Sequence, residues 1–235
     1  MYGEYYSPKD IVDIAIKNHS ESISYTYTEP TVFADYAIDV IEQSKEMKSQ
    51  LYHVFVTNGY MSDELISRLE GLLDAANIDL KSFSDEFYKK VCKARLAPVL
   101  NTIKQFFNMN IHIEITTLLI PTLNDSDEEL EKIAEFIASI SPDIPWHISR
   151  YHPDYKLDIS STPTESISRA REIGRKSGLK FVYSGNIWGD EGENTYCPNC
   201  NKLLIRRVGF SVIENNISNS CCKFCNAKVY GRFSK

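Results

Sequence analysis

Hydrophobic and polar residues follow two periods along the chain, and these divide most of it into short strands and amphipathic helices. The segment ISYTYTEPT shows the strand period: Ile23, Tyr25 and Tyr27 alternate with polar residues, and Pro30 then prevents further ladder bonding. The next segment, TVFADYAIDVIEQSKEM, repeats apolar residues every three or four positions, which predicts a helix over 31–48.

The same two periods continue to residue 185 and predict six strands that alternate with helices. The predicted strands lie at 23–27, 52–59, 75–80, 111–121, 144–151 and 179–185. The predicted helices lie at 8–18, 31–48, 62–74, 94–109, 126–140 and 162–178. Strands that alternate with helices form right-handed βαβ units and a parallel sheet. The pattern therefore predicts an α/β fold, a small or partial (β/α) barrel.

Polar residues stand at the carboxyl ends of the predicted strands, where the active sites of such barrels lie. These residues are Glu29, Thr57, Asn58, Asp79, Lys81, Thr116, Thr117 and the SRYH segment at 149–152. Each of them could simply meet solvent or cap a helix. However, five successive strands that deliver polar groups to one rim favour a polar ligand.

The composition excludes several classes of function. Charged residues make up 25% of the 235 residues and hydrophobic residues 43%, as in ordinary globular proteins. A net charge of −6 and a pI near 5.5 argue against nucleic-acid and membrane partners. No apolar run reaches the roughly 18 residues of a membrane span, and the polar start YGEYYSPKD is unlike a signal peptide. The predicted location is the cytoplasm.

Five of the six cysteines crowd into 197–225, which indicates a local metal site. Two C-x2-C pairs supply four thiolates, from Cys197, Cys200, Cys222 and Cys225. This arrangement predicts a structural zinc ribbon, since a fully ligated ion has no open position for catalysis. Cys221 competes with its neighbour, but its C-x3-C spacing is less typical. Disulfides are the alternative, which a reducing cytoplasm disfavours.

The chain is thus predicted to consist of two domains, the α/β part at 1–190 and the zinc ribbon at 191–235.

Two further residues are predicted to have structural roles only. Cys92 is expected to be a small buried hydrophobic residue. His147, on an apolar strand, is expected to be a hydrogen-bonded core histidine and no ligand.

Five segments resemble, in order and spacing, the radical S-adenosylmethionine (SAM) enzymes of the pyruvate formate-lyase activating type, in the branch called the AmmeMemoRadiSam-system radical SAM protein. The segments are YTYTEPT, VFVTNGYM, NIDLKSF, ITTLLIPTLNDSDEEL and WHISRYHPDY. The resemblance covers nearly the whole chain. It implies a partial radical SAM barrel that binds SAM and a [4Fe–4S] cluster to generate a 5′-deoxyadenosyl radical.

The resemblance also implies a set of SAM-binding residues: Thr28, Glu29, Thr57, Asn58, Asp79, Lys81, Thr116, Ser149 and His152. Glu29 would accept hydrogen bonds from the SAM ammonium, in the position where the family has Gly-Gly-Glu and this chain has Tyr27-Thr28-Glu29. Asp79 and Lys81 would lie near the methionyl end, with Lys81 on the carboxylate. An Asp–Lys ion pair that only stabilises the interior is the alternative. Thr57 and Asn58 would shape the turn, and the last three residues would approach the ribose and adenine.

The family's cluster motif, C-x3-C-x2-C after the first strand, does not occur in this sequence. The first strand and the cluster loop are therefore expected upstream of Met1 or on a separate polypeptide, unless the chain is a degenerate fragment. Whether this chain is an active enzyme alone is open. A sheet that begins at Ile23 would expose an unpaired edge, so the isolated chain is expected to self-associate or to be stable only with an upstream segment added.

Two other functions remain open at this point. A class I aldolase-like barrel would use Lys81 as a Schiff-base nucleophile. Alternatively, the ribbon is an interaction module and the α/β part a non-catalytic scaffold. The substrate is open as well: a glycyl-radical protein, another protein or a small molecule.

Overall fold

The computed structural model describes residues 4–209 and 211–233, and its main sheet has six strands. They are β1 (Ser22–Tyr25), β2 (Tyr52–Thr57), β3 (Ala75–Asp79), β4 (His112–Leu119), β5 (Trp146–Arg150) and β6 (Val182–Gly185). Their order in the sheet follows the order in the chain. The strand pairs with a described register are all parallel. The predicted parallel α/β fold is confirmed, whereas closure into a barrel stays a prediction.

Seven α-helices alternate with these strands in the described residues. They are α1 (Pro8–Lys17), α2 (Ala34–Glu46), α3 (Asp63–Leu69), α4 (Asp85–Phe87), α5 (Leu96–Asn108), α6 (Asp127–Ile140) and α7 (Thr164–Lys176). A 3-10 turn at Pro30–Phe33 precedes α2. None of the described helices combines the length and the apolar character needed to cross a membrane.

The predicted start of a helix is confirmed where a serine caps it, whereas the predicted end of α3 is wrong. Ser7, Ser62 and Ser126 each accept a hydrogen bond from a backbone N–H in the first turn. Helix α3, predicted to reach residue 74, ends at Leu69 because Glu70 is extended, with a ψ of 126°, and forms a turn with Gly71, whose φ is 68°. Helix α4 and the π-helical turn that follows it were not predicted, since they are too short to show a period.

The chain divides into two compact units, each described here by itself. The first comprises residues up to Asp79 together with 97–113, and so holds β1–β3 with α1–α3 and most of α5. Strand β2 shows how its core is made: its alternate residues are buried, and Phe55 meets the Tyr25 ring edge-on at 5.5 Å. Helix α2 buries its apolar stripe, as its period predicts.

The second unit comprises residues 80–96 and 114–235, and its parallel strands have one buried face and one half-exposed face. In its part of β4 the buried residues are Ile115, Thr117 and Leu119, which alternate with half-buried Glu114, Thr116 and Leu118. A parallel sheet covered by helices on both faces has strands that are apolar throughout. This alternation shows that one face of these strands is less buried than the other and carries polar side chains.

The C-terminal part of the second unit forms two small antiparallel sheets. They contain β7 (Thr195–Tyr196), β8 (Leu203–Val208) and β9 (Ser211–Asn215) in one, and β10 (Ile217–Ser218) and β11 (Cys221–Cys222) in the other. Residues 195–233 are called the four-cysteine ribbon below. Its buried core with Phe181 is small, and two of the ribbon's buried residues, Cys197 and Cys222, are cysteines. The domain boundary predicted at residue 190 stays a prediction.

Candidate functional site

Glu29 lies in the loop after β1, and neutral donors hold its half-buried carboxylate. The Thr57 hydroxyl donates a hydrogen bond to Oε1 at 2.6 Å, and the Asn58 backbone N–H donates one to Oε2 at 2.9 Å. Thr31 adds longer bonds from its N–H and hydroxyl, at 3.3 and 3.2 Å. Within the described parts of the chain, no lysine or arginine pairs with Glu29. A carboxylate fixed by neutral donors and lacking a counter-ion is suited to bind a cation.

The turn after β2 places the donors that hold Glu29. Gly59 donates its N–H to the Thr57 hydroxyl at 3.1 Å, and Tyr60 donates its N–H to the Asn58 side-chain oxygen at 2.8 Å. Gly59 has a positive φ of 70° and lies against Ile78, where a side chain would collide. The structure therefore brings Glu29, Thr57 and Asn58 together, as the strand-end prediction requires.

The other predicted residues of the first unit are less constrained. Thr28 is exposed. Asp79 ends β3, is half-buried, and has an interaction partner. Its place at the strand end agrees with the sequence pattern, but no contact between Asp79 and Glu29 is described.

Lys81 belongs to the second unit, where its backbone is fixed on both sides. Its N–H donates to the Tyr88 hydroxyl at 3.1 Å, and its carbonyl accepts from the Asn124 side chain at 2.6 Å. Asn124 is buried and also bonds both Leu118 and Ile120 of the β4 end, at 2.9 and 2.7 Å. Asn124 was not among the predicted site residues. Its position shortly after a strand and Pro121 could have indicated it, because asparagine in such turns often bonds the backbone.

The remaining predicted residues lie on β5, on β4 and just after β5. Thr116 and Ser149 are both half-buried on the polar face of their strands. The Ser149 hydroxyl lies against Gly185, where any side chain would require the hydroxyl to shift. His152 is exposed, with Nδ1 3.4 Å from the Ser161 hydroxyl. Their roles toward a ribose and an adenine stay predictions.

His147 is hydrogen-bonded, as predicted, but it is not fully in the core. Its Nε2 lies 2.6 Å from the Glu114 carboxylate, and its ring stacks on Tyr183 at 5.1 Å. The side chain is 30% exposed. The Tyr183 hydroxyl is 3.0 Å from the hydroxyl of Thr195, the first residue of the four-cysteine ribbon. These polar contacts therefore connect His147 to the ribbon through Tyr183. Its position supports a structural role at the start of the ribbon.

The four predicted cysteine ligands form one cluster. The Sγ atoms of Cys197 and Cys225 are 3.6 Å apart, those of Cys200 and Cys222 are 3.8 Å apart, and all four lie within 4.8 Å of one another. A tetrahedral ion with metal–sulfur bonds of about 2.3 Å places its sulfurs about 3.8 Å apart. The cluster could therefore hold one metal ion. Cys221 is half-buried and outside the cluster, as its spacing predicts.

The surroundings of the thiols already favour metal binding at one of them. Hydrogen bonds from the Asn199 side chain and from the Ala227 N–H lower the pKa of Cys225 to about 6, so it is largely thiolate at neutral pH. At Cys200 a hydrogen bond from the Lys202 backbone also favours the thiolate. Burial and proton sharing with the other thiols outweigh that bond and raise the Cys200 pKa to about 12. A bound metal would displace this proton.

The first unit contains a buried histidine, His53, that was not among the predicted residues. His53 is 3% exposed, with Nδ1 2.9 Å from the Tyr25 hydroxyl and Nε2 3.0 Å from the Ser44 hydroxyl. Burial lowers the pKa of His53, and the charge of Asp74 opposes this effect only in part. Nothing in a strand pattern distinguishes an inward histidine from an outward one until the register is fixed.

We expect acid to destabilise the protein through His53. Its folded-state pKa lies below the unfolded value of about 6.5, so the unfolded chain takes up the proton first as the pH falls. Stability is therefore full above pH 6.5 and falls below it, by at most ~1.4 kcal/mol per pH unit from this group. Urea unfolding between pH 7.5 and 5 would show it. The acid slope should be shallower in His53→Gln and unchanged in the exposed control His19→Asn; equal slopes in the two variants would contradict it.

Fold and site together define a class: an α/β protein with a parallel six-stranded sheet, polar groups at its strand ends and a four-cysteine site near its C-terminus. The profile of the radical SAM superfamily matches residues 1–137. The chain belongs to the radical SAM superfamily.

The chain is also similar to individual proteins. An uncharacterized protein of Methanocaldococcus jannaschii is 44% identical over 95% of this chain and 67% of its own length. The pyruvate formate-lyase 1-activating enzyme of Escherichia coli K12 is 24% identical over 58% of this chain and 61% of its own. SuiB of Streptococcus suis, solved with bound S-adenosylmethionine, superposes with a TM-score of 0.62 at 15% identity, over 79% of this chain and 45% of that one. The chain spans 54–67% of the length of the first curated relatives.

Proposed function

We propose that the chain binds S-adenosylmethionine, with the Glu29 carboxylate as the acceptor for the ammonium group of its methionine part. The observation that carries this proposal is the set of neutral donors around Glu29, which fixes a half-buried carboxylate and leaves its charge unpaired by any described cation. An ammonium ion would supply the missing charge in a charge-assisted hydrogen bond. Membership of the radical SAM superfamily supports SAM as the ligand and disfavours an aldolase role for Lys81.

The other SAM contacts in the proposal rest on the resemblance. Asp79 would add a second acceptor for the ammonium, Lys81 would bind the carboxylate, and Thr116, Ser149 and His152 would approach the ribose and adenine. Asn124 would keep the Lys81 backbone in place through its three hydrogen bonds. Thr57 and Asn58 act through Glu29, since both hold its carboxylate.

A [4Fe–4S] cluster would supply the electron for reductive cleavage of SAM, as in the activating enzymes that the chain resembles. Among the described residues, the one group of potential metal ligands that includes cysteines is the four-cysteine site. Its sulfurs are spaced for one ion, whereas a cube of four irons holds its thiolates farther apart. The residues present therefore do not fit this cluster. We propose that its ligands, and a strand beside β1, come from a segment outside these 235 residues.

The ion proposed for the four-cysteine site is zinc. Four thiolates at tetrahedral spacing are the donor set of structural zinc sites. None of the six cysteines forms a disulfide, so the four thiolates are available to the ion. We propose the cytoplasm as the location, since a reducing compartment preserves such thiolates. The proposed zinc has a structural role, because four protein ligands leave no position for a substrate.

Calorimetric titration of the chain with SAM tests the proposal. We expect weak but measurable binding, because the residues present do not fit the cluster that, by the resemblance, would chelate the methionine group. Asp79→Ala should weaken binding by roughly tenfold or more, the effect of losing one hydrogen bond to a charged group. Binding that is equal in wild type and Asp79→Ala would remove Asp79 from the site, and no SAM binding by a folded wild-type chain would overturn the proposal.

A further inference from the structure

The charges of the chain are distributed very unevenly. Residues 195–235 contain seven of its 26 lysines and arginines but one of its 32 acidic residues, Glu214. The cations are Lys202, Arg206, Arg207, Lys223, Lys228, Arg232 and Lys235. Four cysteine thiolates bound to a divalent ion would not outweigh these cations, so the segment would still carry a net positive charge. The net charge of −6 argues against a polyanionic partner for the chain as a whole. However, it is the sum of a basic C-terminal segment and a more strongly acidic remainder.

The second cysteine pair of the ribbon presents an aromatic ring among these cations. Phe224 lies between Cys222 and Cys225 and is 47% exposed. The Lys202 ammonium is 4.8 Å from the centre of its ring, and Lys223 is exposed beside it in the chain. The four-cysteine site holds this segment in place, since Phe224 also donates its N–H to the Cys222 sulfur at 3.4 Å. An exposed ring flanked by cations can stack a base while the cations contact phosphates.

A second exposed aromatic residue lies beside the ribbon. Trp188 is 85% exposed, and its ring lies next to Gly209 in the turn between β8 and β9. Arg206, exposed on β8, lies between this turn and Lys202 in the sequence, and its Nε is 3.8 Å from the Glu214 carboxylate in an exposed ion pair that a phosphate could replace. Strand β8 thus has one exposed ring near each end: Phe224 lies against Lys202, which precedes the strand, and Trp188 lies against Gly209, which follows it. Exposed rings beside cations are the arrangement that single-stranded nucleic acids favour.

We propose that the four-cysteine ribbon binds a single-stranded polynucleotide, with Phe224 as a stacking platform and Lys202, Arg206 and Lys223 as phosphate contacts. An acidic polypeptide would satisfy the cations, but it would give the exposed rings no flat partner. The proposal is independent of SAM and of a [4Fe–4S] cluster, because Phe224 and the three cations all lie in the four-cysteine ribbon.

Fluorescence anisotropy with labelled oligouridine and oligothymidine tests the proposal on the full zinc-loaded chain without SAM. Binding should weaken with salt. Phe224→Ala should weaken it by about 5- to 100-fold, and Phe224→Tyr should retain it. Lys202→Ala should reduce the slope of log affinity against log salt by about 0.7. Zinc content, measured in parallel, shows that each variant keeps its ribbon.

The chain provides a matched control outside the ribbon. Tyr155 is 90% exposed, with the Lys156 ammonium 5.1 Å from its ring centre, but acidic residues surround this pair in the sequence. Tyr155→Ala and Lys156→Ala should leave binding unchanged. The proposal is overturned if Phe224→Ala behaves like Tyr155→Ala. It is also overturned if polyglutamate of equal charge competes as well as the oligonucleotide, which would indicate an acidic protein partner.

Discussion

Replacing Cys200 with serine is expected to remove the metal from the protein and to unfold the four-cysteine ribbon. The ribbon's buried core is small, and two of its members are themselves cysteine ligands, so little apolar burial remains once the ion is lost. Structural zinc contributes about 10–16 kcal/mol of apparent binding free energy in small domains. Elemental analysis should find about one zinc per wild-type chain and close to none in Cys200→Ser.

Cys221→Ser is the matched control for this experiment. Cys221 adjoins the ligand Cys222 but lies outside the sulfur cluster, so its serine variant should keep the zinc. A hydrogen-exchange measurement should show loss of protection in 195–233 for Cys200→Ser alone. If Cys200→Ser retains full zinc, or if Cys221→Ser loses as much, the assignment of ligands is wrong.

Glu29→Gln is expected to lower SAM affinity by about 10- to 100-fold. The substitution keeps the size of the side chain but removes the charge that the ammonium needs, and hydrogen bonds to charged groups contribute about 1.5–3 kcal/mol. It also places an amide N–H toward one of the neutral donors, which are the Thr57 hydroxyl and the Asn58 N–H. Calorimetry with SAM gives the affinity, and a thermal melt gives the accompanying change in stability.

Two further variants separate binding from structure. Glu21→Gln alters an exposed glutamate just before β1 and should leave the SAM affinity unchanged. Thr57→Val removes one donor to Glu29 and should weaken SAM binding less than Glu29→Gln does, since the charge remains. If the Glu29→Gln chain has a lower melting temperature but binds SAM as tightly as wild type, Glu29 only stabilises the contact between two loops and does not bind SAM.

Much of the fold could be predicted because its signals are local. Periods of two and of 3.6 residues mark the six strands and the longer helices, and serine caps at Ser7, Ser62 and Ser126 mark three helix starts. Helix α4 and the early end of α3 could not be predicted in this way. A three-residue helix has no period, and α3 ends at Leu69 because of the turn that Glu70 and Gly71 form after it.

The candidate sites differ in how far the sequence determines them. By itself, the sequence determined the four thiolates of the four-cysteine site, because two C-x2-C pairs fix both the donors and their local spacing. It also placed Glu29 and Thr57 at strand ends. Only the tertiary structure decided that these two side chains meet at 2.6 Å. They are 28 residues apart, and their contact depends on the register of β1 against β2 and on the close fit of Gly59 to Ile78. Such a contact follows from packing between distant segments, which no local pattern encodes.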